Sequence, residues 1–183
     1  MLRRRRPPDD PLAHVDPAAA PPRFARTVAD AVEARRRYRA MVAGLRPGPV
    51  RDRLEATGER VDAGVAAVWD AVTRAGEVER LLAALDPERV TDEYKRAKRS
   101  GQDPELEAAL AQRFASVQRL LNALDDTEER LRLLEARLTA AVARAAEVAL
   151  GGGTGAETVS AELDGVVDEL TTLRAALDEV DRA

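Results

Sequence analysis

Acid–base catalysis, metal binding and nucleophilic attack each need at least two groups held at a fixed distance, and the side chains that could serve are few and scattered in this sequence. His14 is the only histidine, and it stands in MLRRRRPPDDPLAHVDPAAAPP, residues 1–22, where six prolines accompany no periodic apolar pattern. With no rigid element beneath it, His14 reads as a solvated linker residue and not as a base or a ligand. The Glu-x-x-His pairs of di-iron bundles need a helical histidine, which is missing. Cysteine is absent, which excludes a disulfide, a thiolate zinc site, an iron–sulfur cluster and a cysteine nucleophile. Ser100, Ser116 and Ser160 have no candidate base in the sequence. The carboxylates Asp125, Asp126, Glu128 and Glu129 read as solvated surface charge, with weak divalent-ion binding as the lesser alternative. GGGTG at 151–155 follows no strand and precedes no Gly-Lys-Ser/Thr, so it reads as a turn and not as a phosphate loop. The expectation is a protein that is not an enzyme, with no cofactor, no metal and no small-molecule substrate.

Cations are a richer source of candidates. Three basic stretches stand out: Arg3, Arg4, Arg5 and Arg6; RRRYR, which holds Arg35, Arg36, Arg37 and Arg39; and KRAKR at 95–99. The plain reading is a solvated helical face balanced by nearby acids. The functional reading is contact with an anionic membrane surface, for which the first two stretches are the candidates. Nucleic acid is disfavoured by the net charge of -4 and by the 3% aromatic content, which leaves few rings to stack on bases. Charge is also graded along the chain: residues 1–50 hold 11 Arg against 5 acidic residues, and residues 151–183 hold 2 against 8. The two ends can therefore attract each other, within a molecule or between neighbours.

The elements that carry these groups are helices. Ala, Leu, Val, Arg and Glu dominate and aromatics are scarce, so the core must be aliphatic. Residues 1–22 predict a disordered arm, because nothing there is patterned for burial. Residues 23–183 predict one helical bundle, with helices at about 23–45, 50–85, 87–99, 104–150 and 156–182. Asp86-Pro87 and Asp103-Pro104 each pair an N-cap with proline at the first helical position. Thr154 and Glu157 have the spacing of a capping box. Gly58, Gly64 and Gly76 interrupt the second helix and suggest close approach to a neighbour. The fourth helix has its seam at Leu106, Leu110, Phe114, Val117, Leu121, Leu124, Leu131, Leu134, Leu138, Val142, Ala145 and Val148.

Short connections imply antiparallel neighbours. The whole is an all-α, elongated antiparallel bundle or coiled coil of four main helices plus one short helix, roughly 70 Å long at 1.5 Å per residue. Four helices share one end, and the short third helix is expected to fold across the other. The last helix carries an unbroken heptad seam, Val159, Leu163, Val166, Leu170, Leu173, Leu177 and Val180. Val167 widens that stripe, which favours burial within the chain; docking on a separate partner is the alternative.

VAGLRPGPVRDRLEATGERVDAGVAAVW (42–69), LTAAVARAAEVAL (138–150) and ELDGVVDELTTLRAALDEV (162–180) resemble uncharacterised helical coiled-coil proteins of high-GC actinobacteria, a resemblance that carries no activity. The long heptad helices with a basic amino-terminal side are similar in architecture to phage-shock protein A, which implies membrane association. The leading expectation is a scaffold or adaptor for protein–protein interaction, through an unknown protein partner or self-association. The alternative is a peripheral membrane-surface protein recruited by its basic arm, and a third is a nucleoid-associated protein. No run approaches the ~18 apolar residues of a membrane span, and no apolar stretch follows the basic cluster at the start. The expected location is cytoplasmic, or peripheral at the inner face of the membrane.

Overall fold

The structure, a computed structural model, describes residues 10–101, 103–151 and 155–180, without the side chain of Val180. Five α-helices make it up: α1 (Ala25–Ala43), α2 (Pro49–Leu85), α3 (Pro87–Ser100), α4 (Pro104–Leu150) and α5 (Ala156–Val180). No strand occurs among the described residues. Three of the starts follow from local chemistry. Gly48 takes φ 154 ahead of Pro49. Asp86 turns the chain at φ 52 and its side chain accepts from Arg89 N, so a single residue separates α2 from α3. Asp103 Oδ1 accepts from both Glu105 N and Leu106 N at 3.0 Å, satisfying donors that the first turn of α4 leaves free. Thr154 of the expected capping box lies outside the described residues.

The two longest helices form the centre. α2 and α4 run antiparallel and pack on each other, while α1 and α5 flank them and make no contact with one another among the described residues. Gly64 permits the central approach: a Cβ there would stand 3.2 Å from Leu138 Cδ1. α5 lies parallel to α2, with Arg60 on Asp164 at 2.7 Å and Arg174 on Asp70 at 3.1 Å. It lies antiparallel to α4, with Arg137 on Glu169 at 2.6 Å and Arg144 on Glu162. The acidic end of the chain therefore meets arginines of α2 and α4.

The seam of α5 closes inside the chain. Val159, Leu163, Val166, Leu170, Leu173 and Leu177 are all buried against α2 and α4, so they are not the partner-binding surface offered as the alternative; nothing is described of Val180's side chain. At roughly 1.5–3 kcal/mol for each fully buried aliphatic side chain, this seam is a major part of what holds the helix down.

Two expectations need correction. Residues 10–22 are not a free arm. They run back along α1, through a 3-10 turn at Pro17–Ala19, and bury Leu12 and Ala20. Pro21 rests on Gly76, where a Cβ would come within 2.6 Å of the proline ring. Phe24, fully buried, anchors the turn into α1. Residues 1–9, including Arg3 to Arg6, lie outside the described residues. The second correction concerns α3. It does not fold across the end but runs back along α4, with Tyr94 stacked on Phe114 at 4.9 Å between ring centroids and Arg113 on Glu93 at 3.3 Å. No helix among the described residues is long and apolar enough to cross a membrane.

Candidate functional site

RRRYR is the best-placed of the sequence candidates, and its arginines are already engaged. Arg35 is buried between two carboxylates: Nε donates to Asp62 Oδ1 at 2.7 Å and the outer nitrogens donate to Asp10 at 2.5 and 2.9 Å. A buried guanidinium needs such partners to offset the loss of water. The hydrogen bond from Arg35 holds Asp10 well below the usual carboxylate range, and the same bond raises Arg35. Arg39 Nη2 donates to Asp62 Oδ2 at 2.5 Å. Arg36 and Arg37 both bind Glu33, at 2.7 and 2.9 Å, and lower its carboxyl to about 2. Arg35 is thus a clasp between the arm, α1 and α2, not a surface contact, and Arg36, Arg37 and Arg39 each hold a carboxylate. Arg23 does the same for α4, through Asp125 and Glu128. That accounts for part of the acidic cluster of α4.

Tyr38, inside this basic stretch, is a core residue. It donates to the Leu54 carbonyl at 2.6 Å, and burial pushes its hydroxyl up to about 12. Ser160 lies 3.3 Å from the Thr57 hydroxyl at the α2–α5 contact. His14 is exposed on the arm. No group of three or more His, Asp or Glu side chains among the described residues is arranged to hold a metal ion.

What the bundle leaves open is one face of α4. Because α1 and α5 do not meet, α4 shows a strip between them at heptad spacing: Leu133, Ala136, Ala140, Ala143, Glu147 and Leu150. Leu133 is 53% and Leu150 90% exposed. A groove lies on each side of the strip. The α1–α4 groove has a volume of about 510 Å³ and an apolar floor of Ala34, Tyr38, Met41, Val142, Ala143 and Ala146, with Asp30, Glu33, Arg37, Glu135 and Thr139 along its edge. The α4–α5 groove, about 350 Å³, lies over Ala140, Ala161, Gly165 and Val166 and is bordered by the Arg137–Glu169 and Arg144–Glu162 pairs. Small side chains let a further helix approach closely, and the grooves would take its larger side chains. The sequence reading missed this face because alanines count on either side of an apolar stripe. The signal was a second 3-4 repeat on α4, offset from the main seam and populated by alanine.

The third basic stretch lies on α3. Lys95, Arg96, Lys98 and Arg99 are exposed. Lys98 stands over the Tyr94 ring at 5.8 Å and Arg99 Nε donates to the Lys95 carbonyl at 3.1 Å.

Comparison with protein-family models, with curated proteins and with solved structures returns no match.

Proposed function

We propose that this chain is a non-enzymatic helical-bundle scaffold or adaptor, which receives a helix of a partner protein on the open face of α4. The observation that carries this reading is the α1–α4 groove, about 510 Å³ over an apolar floor beside a strip of alanines. A helix laid along α4 would bury the exposed leucines at 133 and 150 and give α4 the neighbour it lacks between α1 and α5. The apolar floor favours a partner helix with an apolar stripe, and the mixed charges of Asp30, Glu33, Arg37 and Glu135 at the edge favour polar side chains beside that stripe. Attachment to an anionic membrane, the alternative, draws less support, since Arg35, Arg36, Arg37 and Arg39 already hold carboxylates.

Site-specific photo-crosslinking tests the reading. A crosslinking side chain at Ala143, introduced in cells, should give one discrete adduct of fixed mass, while the same group at the exposed Arg53 of α2 gives none. Ala143→Glu, tested against a crosslinker at Ala136, should remove that adduct without changing the melting temperature. The same adducts from both positions, or none from Ala143, would reject the α4 face.

A further inference from the structure

The end of the molecule made by α3 and the first turns of α4 carries charges of both signs that form no ion pair among the described residues, together with uncovered apolar side chains. Among the described residues Lys95, Arg96, Lys98 and Arg99 form no ion pair, although arginines of α1 and α2 such as Arg35, Arg36, Arg37, Arg39, Arg60 and Arg74 all do. Just beyond the Gly101 turn, Asp103, Glu105 and Glu107 also form no ion pair among the described residues, Asp103 accepting instead from the backbone of Glu105 and Leu106. Leu106, set in the sequence between Glu105 and Glu107, is 52% exposed, and Leu110 and Phe114 are only partly covered. Each helix terminus explains some of this: Glu105 and Glu107 suit the start of α4, and Lys98 and Arg99 suit the end of α3. That account leaves Lys95, Arg96 and the exposed leucine over.

The arrangement also selects a partner. A membrane or nucleic acid of uniform negative charge would meet four cations with three carboxylates at the same end of the molecule, and gain little net attraction. A surface that carries a cationic set and an acidic set beside an exposed leucine can meet its own copy, turned through two-fold rotation, cations to carboxylates. We propose that two copies of this chain associate end to end through α3 and the first turns of α4. The cations of one copy meet Asp103, Glu105 and Glu107 of the other, and Leu106 and Leu110 of the two copies cover each other. The junction then has four helices around one seam, as the opposite end has within a single chain. A hairpin end offers fewer residues than the ~20–30 per side of a standard interface, so the dimer is weak and concentration-dependent. Its charge pairs stand in water, so salt weakens it further.

Sedimentation velocity on the full chain, from micromolar to millimolar concentration at low and high salt, measures it directly. The wild type should pass from monomer towards dimer as concentration rises, and less so at high salt. Lys95→Glu with Lys98→Glu should lower the association constant at least tenfold, as should Glu105→Lys with Glu107→Lys, each with unchanged helicity. Mixed together, the two variants should associate more strongly than either does alone, because the reversed side chains of one then face the oppositely reversed side chains of the other while the two unreversed sets still pair. Leu106→Asp, at a site where folding buries little, should also leave a folded monomer. A wild type that stays monomeric at millimolar concentration overturns the proposal. So does a dimer insensitive to both charge reversals, or a mixture that stays monomeric. Binding of the monomer to anionic phosphatidylglycerol vesicles, lost in the Lys95→Glu, Lys98→Glu variant, would assign the surface to lipid instead and also overturn it.

Discussion

α4 passes through two different environments, and the same seam behaves differently in each. From Leu124 onward, α1, α2 and α5 pack on it, and Leu124, Leu131, Leu134 and Leu138 are buried. Before Val117, α3 is its main neighbour, Leu110 and Phe114 are partly covered, and Leu106 is open. The heptad letters are alike in both regions, so a seam position states only that a side chain can be buried. Whether it is buried depends on how many helices reach that level of the bundle.

Substitution on the two sides of this divide should give unequal results. The largest effect is expected at Leu170, fully buried in the middle of α5. Leu170→Asp removes a buried leucine, about 2–5 kcal/mol by itself, and places a carboxylate among apolar side chains. Chemical denaturation should show that loss, or failure to fold, at every protein concentration, with α5 loosened in hydrogen exchange. A folded variant within about 1 kcal/mol of the wild type would mean that α5 is not packed as described.

Next in size is the arm. Removing residues 1–22 uncovers the α1–α2 surface under Leu12, Ala20 and Pro21 and breaks the Arg35 clasp. A loss of roughly 2–4 kcal/mol follows from the buried side chains, which corresponds to a melting temperature lower by about 4–16 °C at this size. An unchanged melting temperature would return residues 10–22 to the status of a free arm.

A smaller, pH-dependent effect belongs to Asp10. Its carboxyl is held below the usual range, chiefly by the hydrogen bond from Arg35, so the contribution to docking is fully present above the unfolded value of about 4 and is lost as pH falls through the folded value. Trp69 lines the groove beside Ala20 and Pro21 and is the chain's only tryptophan, so its emission reports the arm. Acidification should shift that emission to the red, and Asp10→Asn should show the shifted emission already at neutral pH. Identical titrations for the two proteins would break the link between Asp10 and the arm.

The smallest effect on folding is expected from Leu106→Asp. At 52% exposure the leucine loses little water contact in the monomer, and a change within about 0.5 kcal/mol is typical of such a site. A loss comparable with that at Leu170 would show α3 and α4 to be closed over Leu106, and the divide between the two regions would disappear.

The sequence by itself determined the helices and the faces they bury. Periodicity is a local property, and Asp86-Pro87, Asp103-Pro104 and Gly101 act on backbone groups within a turn of themselves. It also carried the seam of α5, since seven apolar positions in 3-4 order mark a face that can be buried. Only the tertiary structure decided what covered each face. Residues 10–22 have no period to read, because Leu12, Ala20 and Pro21 are held by a groove that exists only after α1 and α2 pack. Arg35 and Arg36 are neighbours of one type, yet Arg35 is buried between Asp10 and Asp62 while Arg36 stays at the surface with Glu33. Their fates depend on residues 25 and 27 positions away for Arg35, and only three for Arg36. The open face of α4 is of the same kind. It exists because α1 and α5 settle on opposite sides of the central pair, and that choice depends on the packing of whole helices and not on any short stretch of residues.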